Sequence, residues 1–550
     1  MKRLPARPDL GHLKKQAKEL LAALRTGEPV ALARTRDHLP AAAGCSDAAI
    51  GAMGLRLHDA QSCLAREHGF ASWAELAGFV AVRNAHAADP ARGLLHWLSL
   101  VYPGDIAGGM GRAQPAAAAR WLAEHPALLE GDPILACAVG DLDAVRAATR
   151  RDPQWPDRAC GPLQLPPLVA VTHSGLLRLP AFRPRLHACA RVLLAAGANP
   201  NQGVGSRWPP ASLQSPSPAH RLSALYGAAG QHRDPELTRM LLAAGADPND
   251  GESLYHALEN QECTRLLLEA GARVTGTNAL YRVLDLDNLP ALQLLLTHGA
   301  DPNEPGPAPG GGGRPLWWAI RRRRSPAHIA ALLQAGADPA ARMADGTDAA
   351  TFAWRTGLPE LAGLLGAPDM ESQRMPAERF AAACARADEA QARELQALHP
   401  ELPAALPEPL LRLLPELAAQ GCAPAVRCMV RLGWPIATRG GDWDASALNH
   451  AVFRGDAELA RFLLAHGAQW TEQHGFGDNC CGTLSWASCN TPDAPGAARD
   501  WVGCAQALVG HGMPAARPDP HAPDGVLVGG RPMRFGEEVT QFLLEAGALP

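Results

Sequence analysis

The chain has 550 residues, too many for one ordinary hydrophobic core, so it either divides into domains or grows by repetition. Its 47% hydrophobic and 19% charged residues are those of a folded protein, and a formal net charge of -4 excludes a general affinity for nucleic acid or acidic membrane surfaces. Thirteen cysteines, an odd number scattered from Cys45 to Cys504, suit reduced and mostly buried thiols rather than a disulfide framework.

At the N-terminus, "PDLGHLKKQAKELLAALRTG" places Leu10, Leu13, Ala17, Leu20, Leu21 and Leu24 at helical spacing and predicts an amphipathic helix. "LHDAQSCLAREHGFASWAELAGFV" predicts a second helix ending near Gly69, after which Ser72 and Glu75 form a capping box around Trp73. Residues 1–85 are therefore expected to make a small helical domain, either a cap on the rest of the chain or a separate docking module. No apolar stretch follows the basic residues of 1–13, and no run of about eighteen apolar residues occurs anywhere, so neither a secretory signal nor a membrane span is expected. The expected location is cytoplasmic.

From residue 107 onward one ending recurs. Faint layers appear in "ILACAVGDLDAVRAATRRDP" from Ile134 and "ERFAAACARADEAQARELQALHP" from Glu378. The clear copies include "LLAAGANPN" ending at Asn201, "LLAAGADPN" at Asn249, "LLLTHGADPN" at Asn303, "ALLQAGADP" at Pro339, "FLLAHGAQW" at Trp470 and "FLLEAGALP" at Pro550. Their glycines, Gly197, Gly245, Gly271, Gly299, Gly336, Gly467, Gly512 and Gly547, are mostly separated by about 26 to 48 residues. Each reads as the close of a short helix, with glycine supplying the left-handed backbone that stops it. Asp234 with Pro235, Ser325 with Pro326, and Asp456 supply the matching start signals. The "ADPN" at the end of several copies is turn chemistry.

Upstream of each ending lies a second, shorter helix signal: "SALYGAA", "ESLYHAL", "NALYRVL", "RPLWWAI", "SALNHAV" and "GTLSWAS". Leu225, Leu254, Leu280, Leu316, Leu448 and Leu484 are each followed three residues later by alanine or valine, which lets two thin helices pack closely. This pattern resembles the ankyrin repeat family, whose motif T-P-L-H-x-A is matched at the leucine and alanine. The family's histidine position holds Tyr226, Tyr255, Tyr281, Trp317, Asn449 and Ser485, so the turn-bracing role of that histidine does not carry over directly. The N-terminal helices resemble the small helical region ahead of bacterial ankyrin arrays. The resemblance implies an all-α ankyrin-repeat solenoid preceded by a small helical domain. "GAPDMESQRMP", Gly366 to Pro376, has no apolar periodicity and predicts a break or hinge between a stack at 107–368 and another at 376–550.

Three insertions interrupt the period: from Gln202, from Glu304 and from Thr471. The glycine run Gly310 to Gly313 lacks the Lys-Ser or Lys-Thr of a phosphate loop and reads as a spacer. "HGFGDNCCGTLSWASCN" offers His474, Asp478, Cys480, Cys481 and Cys489, yet adjacent cysteines do not readily reach one tetrahedral ion and no second pair completes a site. Buried thiols in an ordered loop fit better than zinc or a catalytic cysteine. Arg321 to Arg324 reads as a solvated helix end opposite Asp285 and Asp287 rather than a nucleic-acid patch, since one short run supplies too few phosphate contacts.

No catalytic motif emerges and no cofactor is expected. The family resemblance implies a monomeric, non-catalytic scaffold that binds another protein, neither nucleic acid nor membrane, through its concave face and inter-repeat loops. The rival readings are a metal- or thiol-dependent module in 471–490 and a secreted effector binding a host protein. Positions just after the leucine-alanine motif should face the partner: Glu259 and Asn260, Asp285, Arg321 and Arg322, Phe453 and Arg454, and Asn490. Trp208, Asn303 and Trp443 lie on turns or insertions at the same edge.

Overall fold

The structure is a computed structural model describing residues 2–5, 7–306, 313–343, 345–367, 374–490, 499–520 and 525–548. Of the predicted features, Gly310 to Gly312, residues 368–373 of the expected break and the terminal Pro550 lie outside the described residues. Two units emerge, Met1–Arg282 with His298–Ala300, and Val283–Thr297 with Asp301–Pro550.

In the first unit the helix Leu10–Arg25 starts at Asp9, whose carboxylate accepts from the Gly11 N–H at 2.8 Å, and buries Leu13, Ala17, Leu20, Leu21 and Leu24. That face packs on the helix Leu57–Glu67. Glu67 is buried at the end of the second helix and is held there by Arg34 and Lys2, each at 2.6 Å. The predicted capping box at Trp73 forms by half. Ser72 accepts from the Glu75 N–H at 3.3 Å, whereas the Glu75 carboxylate accepts from Ala71, one residue upstream of the expected donor, at 3.1 Å. The helix Trp73–Ala88 then packs directly on Pro90–Val101 and Pro115–Glu124, burying Trp97 and Trp121.

Paired helices come next: Pro133–Val139 with Leu142–Arg151, Pro167–Thr172 with Arg183–Ala195, Tyr226–Gln231 with Pro235–Ala243, and Ser253–Ala257 with Gln261–Glu269. Each second helix packs on the second helix of the next pair, as Arg183–Ala195 does on Pro235–Ala243, and that helix on Gln261–Glu269. Asp234 caps its helix by accepting from the Leu237 N–H at 3.0 Å, and Leu237, Thr238 and Leu241 form the buried face. Met240, expected on that face, is only half-buried because Thr238 occupies the inner position.

The second unit continues the pairing. Pro315–Arg321 with Pro326–Gln334, Pro376–Ala385 with Glu389–Leu398, Ala447–Arg454 with Ala457–Ala465, and Cys480–Asn490 with Trp501–Gly510 are successive examples. A further pair, unmarked by the recurring ending, is Leu413–Ala419 with Ala423–Arg431, closed by Gly433 at φ 84°. On either side of the expected break, the helix Ala349–Arg355 packs on Pro376–Ala385, Arg355 pairs with Glu378, and Arg374 donates to Thr351 at 2.7 Å.

Seven of the eight marker glycines carry the helix-stopping conformation, with φ between 83° and 101° at Gly197, Gly245, Gly271, Gly299, Gly336, Gly467 and Gly512. Gly547 does not. It lies inside the helix Glu537–Ala548, and a Cβ there would stand 2.3 Å from the Ala516 carbonyl oxygen. Glycine is needed at that point for the close approach of a strand, not for a stop.

The "DPN" turns have a structural task. Asn201 donates from its amide to the Gly245 carbonyl at 3.2 Å and accepts from the Asp247 N–H at 2.7 Å. Asn249 repeats this with Gly271 at 3.3 Å and Arg273 at 2.9 Å, and Asn303 with Gly336 at 2.8 Å and Asp338 at 2.9 Å. A side-chain amide carries a donor and an acceptor side by side, so it matches the carbonyl and N–H of the next turn as a backbone segment would.

The chain is mostly helical but not all-α. Gly203–Gly205 pairs antiparallel with Arg221–Ser223, Arg439–Gly440 with Ala445–Ser446, and Ala516–Pro518, Val526–Val528 and Arg531–Met533 form a three-stranded antiparallel sheet. The first ribbon brackets the insertion after Gln202, and Gln202 anchors its base by donating to the Pro156 carbonyl at 2.6 Å and accepting from the Leu168 N–H at 3.1 Å.

Candidate partner-binding surface

The sequence "GDWDASALNHAVFRG" builds one end of the candidate surface in the second unit. The ribbon Arg439–Gly440/Ala445–Ser446 holds Trp443 at its tip, and Ser446 caps the helix Ala447–Arg454 by accepting from the Asn449 N–H at 3.3 Å. The helix buries Ala447 through Val452, so its last residues, Phe453 and Arg454, face outward before Gly455 stops it in the left-handed region. In the following pair, Cys480–Asn490 buries Cys480, Cys481, Leu484 and Ala487 and leaves Trp486 outside.

These aromatic rings meet. Phe453 stacks on Trp486 with centroids 5.6 Å apart and planes 16° apart, and Trp443 lies 5.5 Å from Phe453. Trp443 also takes His450 and His474 edge-on at 4.7 and 5.0 Å. His474 in turn contacts Phe476. Phe453 is 36% exposed, Trp486 55% and Phe476 82%, while Trp443 is half-buried beneath them. Such large rings in water carry an unfavourable hydration free energy that a partner's apolar surface would relieve.

The insertion from Thr471 is fixed by ordinary hydrogen bonds. Asn449, in the family's histidine position, is fully buried; it accepts from the Thr483 hydroxyl at 2.7 Å and donates to the Glu472 carbonyl at 2.9 Å. Asn449 thereby ties the helix Ala447–Arg454 to the insertion and to the helix that follows it. Gly475 donates to the Trp443 carbonyl at 2.9 Å, tying the insertion to the ribbon tip. Asp478 is held by Arg531 at 2.7 Å, and that ion pair keeps its carboxyl below the usual range. Burial lowers the affinity of His474 for a proton and pushes the Cys481 thiol up to about 11, the direction opposite to that of a reactive thiolate. Among the described residues no group of three or more histidine, cysteine, aspartate or glutamate side chains is placed to hold a metal ion.

The arginine run has a different environment from the solvated one expected. Arg321 makes two bonds to Glu416, both 2.8 Å, and stands 3.1 Å from Asp442. Arg322 pairs with Asp285 at 2.7 Å and Asp442 at 2.6 Å, with its guanidinium 4.3 Å above the Trp318 ring, whose N–H donates to Asp285 at 2.9 Å. Arg324 meets Asp287 at 2.9 Å. The predicted facing of Asp285 and Asp287 is present, but the side chains of Arg321, Arg322 and Arg324 are only 14%, 17% and 16% exposed. Burial disfavours the charge on Arg322; Asp442 and Asp285 outweigh it and raise its pKa. Because Glu416 also accepts from the Gly441 N–H at 3.0 Å, the arginines brace the ribbon that carries Trp443.

The remaining candidates are dispersed. Trp208 is 47% exposed on the loop between Gly203–Gly205 and Arg221–Ser223, next to Arg207, which is buried and donates to the Leu163 carbonyl at 2.6 Å. Glu259 pairs with Arg233 at 2.6 Å, and Asn260 is spent capping the helix Gln261–Glu269. Asn303 clamps the next turn, Asn490 donates to the Trp486 carbonyl at 3.0 Å, and Arg454 donates to the Ala419 carbonyl at 3.2 Å. The fold thus brings Trp443 and Phe453 into contact, while Arg454 reaches back to the Ala419 carbonyl and Asn490 to the carbonyl of Trp486. Two residues of the surface, Phe476 and Trp486, were missed. Trp486 stands at the variable position between the motif's histidine place and its alanine, and Trp318 and His450 hold the same position in other copies.

These layers define a helical-repeat protein, each pair of short antiparallel helices packing on the next. A family model described as ankyrin repeats (3 copies) matches residues 225–306, so this part of the chain is similar to ankyrin repeats. No curated protein matches the sequence. Among solved structures, the ankyrin repeat domain of Bcl-3, titled a unique member of the IkappaB protein family, is similar at 24% identity and a TM-score of 0.32, covering 40% of this chain and 94% of that one. The human ASB11 ankyrin repeat domain is similar at 20% identity and a TM-score of 0.31, covering 44% and 100%.

Proposed function

We propose that the chain is a monomeric, non-catalytic scaffold that binds another protein, and that Phe453, Phe476 and Trp486, backed by Trp443, are its principal anchors. The observation that carries this reading is the stacked Phe453–Trp486 pair standing in solvent on two helices whose other faces are buried. Aromatic anchors of this kind dominate the energetics of protein interfaces and lose little side-chain entropy on binding. Arg454 and Asn490 supply polar contacts at the rim. Arg321, Arg322 and Asp285 serve the same surface indirectly, by fixing the ribbon, and Trp208 is a separate exposed anchor in the first unit.

The test is affinity capture with the full chain, wild type against a Phe453→Ser, Trp486→Ser variant, from cells that express it. The captured protein is then purified and its Kd measured for both forms. Loss of capture and a Kd raised at least thirtyfold, from about 2 kcal/mol per hot-spot ring, are expected with unchanged helicity. Equal recovery by both forms would sink this surface as the binding site.

A further inference from the structure

The rings Phe453 and Trp486 sit in successive layers of the second unit: the helix Leu413–Ala419 packs on Ala447–Arg454, and Ala447–Arg454 on Cys480–Asn490. One arginine adjoins each ring. Arg454 follows Phe453 directly and reaches back toward the preceding layer, its guanidinium donating to the Ala419 carbonyl at 3.2 Å. Arg534 lies against another face of the helix that carries Trp486, where its carbonyl accepts from the Ser485 hydroxyl and from the Cys489 thiol, the latter at 3.6 Å. Partial burial raises the pKa of that thiol and the Arg534 charge works against it, so the guanidinium also lies near this helix.

Both side chains are exposed, and neither meets a carboxylate among the described residues. A guanidinium carries five N–H groups, and Arg454 spends one of them on Ala419. The carboxylates near the rings are in the opposite condition. Asp442 and Asp444, which flank Trp443, are held by Arg322 at 2.6 Å and by Arg439 at 2.7 Å, and Asp478, two residues past Phe476, by Arg531 at 2.7 Å. The unspent charge at the ring surface is therefore positive.

The unit around it has the other sign. Residues 283–297 and 301–550 hold 30 aspartates and glutamates against 21 arginines and no lysine. A negatively charged partner is repelled over most of this unit and attracted at the rings, which selects one docking place and one orientation.

We propose that the partner of this surface is an acidic apolar peptide segment, with leucine or phenylalanine side chains against Phe453 and Trp486 and with aspartate or glutamate beside them meeting Arg454 and Arg534. This rests on the rings being the binding surface, and adds the chemistry of what covers them. The rings supply most of the binding, because desolvated aromatic anchors dominate interfaces. The arginines select among apolar segments and speed the encounter, since rim charges act on specificity and association rate more than on raw affinity. A guanidinium fork also matches the two oxygens of a carboxylate.

Fluorescence anisotropy of labelled synthetic peptides, titrated with the full chain, tests this. Three peptides share the same leucine and phenylalanine anchors and differ in the residues between them: aspartate and glutamate, serine and glutamine, or lysine. At low salt the acidic peptide is expected to bind roughly tenfold more tightly than the neutral one, the effect of two rim ion pairs, and the advantage should shrink as salt rises. The Phe453→Ser, Trp486→Ser variant should lose the acidic peptide. Arg454→Glu, Arg534→Glu should reverse the order of the acidic and lysine peptides. Arg454→Gln, Arg534→Gln should level the acidic and neutral ones, and it carries the measurement if the charge reversal lowers the melting temperature. No binding of the acidic peptide, or an order of affinities unmoved by either arginine pair, would overturn the proposal. If the neutral peptide binds as tightly as the acidic one and is lost in the ring variant, the ring surface stands and only the acidic partner falls. Acidic-peptide binding that survives the ring variant removes both.

Discussion

The turns at Asn201, Asn249 and Asn303 and the surface around Trp443 occupy comparable edges of their repeats, yet they spend their side chains in opposite ways. Each asparagine turns both ends of its amide onto the following turn, at 2.7 to 3.3 Å, and leaves little for anything else. Phe453, Phe476 and Trp486 turn apolar area outward, while the polar groups near them, Asn449, Asp478 and Arg322, are occupied beneath or beside them. Polar residues at a repeat edge are thus poor guides to a partner, because the array consumes them. Exposed rings on a rigid support are better guides.

Four experiments bear on this contrast. The largest effect belongs to Trp486→Ala, which should cost about 2 kcal/mol or more of partner binding and less than about 0.5 kcal/mol of stability, read by titration calorimetry and urea denaturation. Asn249→Ala should invert that result. Two bonds between turns are lost, so urea denaturation should report a loss of about 1 to 2 kcal/mol while partner affinity is retained. A binding loss in Asn249→Ala would erase the distinction between the two edges.

Arg322→Ala comes next, at about 1 kcal/mol, a value discounted because Asp442 is substantially exposed. Its ribbon should loosen, and the near-ultraviolet circular dichroism of the Trp443 cluster should fall. Such a change would separate a bracing arginine from one that touches the partner.

The smallest effects are pH-dependent and of opposite sign. His187 is held by Asp234 and Glu236 against the cost of its burial, and its pKa is raised. Its contribution to stability is present below the unfolded imidazole value, about 6.5, and is lost as pH rises through the folded pKa. His474, whose pKa burial lowers, contributes above that value and loses its contribution as pH falls through its folded pKa. Stability-versus-pH curves for His187→Gln and His474→Gln, each subtracted from wild type, should slope in opposite directions. Parallel curves would contradict the assigned environments.

Much of the fold was legible because helix ends are written locally. Asp234 and Asp456 cap their helices as read, and Gly245 and its counterparts stop them. The failures came where a residue answers to a distant neighbour. Gly547 looks like another stop but is glycine because a strand carbonyl passes 2.3 Å from where its Cβ would be. Arg321 to Arg324 look solvated because Glu416 and Asp442, their partners besides the expected Asp285 and Asp287, are about a hundred positions away in sequence. Within the candidate surface, Phe453, Arg454 and Asn490 were proposed from repeat position and Trp443 from its turn, while Phe476 required the path of the insertion. Trp486 was not fixed by its place in the motif, since His450 at the same place is buried.

The asparagine clamp has a consequence for how such arrays vary. Asn201 completes its bonds to the next turn just before the chain departs into the long excursion of residues 206–220, which returns through a paired ribbon at Arg221–Ser223. Alignment between neighbours is therefore settled by Asn201 and by Arg207, which donates to the Leu163 carbonyl at 2.6 Å, so length added beyond them need not shear one layer against another. A foreign peptide spliced between Ser212 and Ser217 should leave the melting profile intact, making this loop a natural place to graft new recognition onto an unchanged frame.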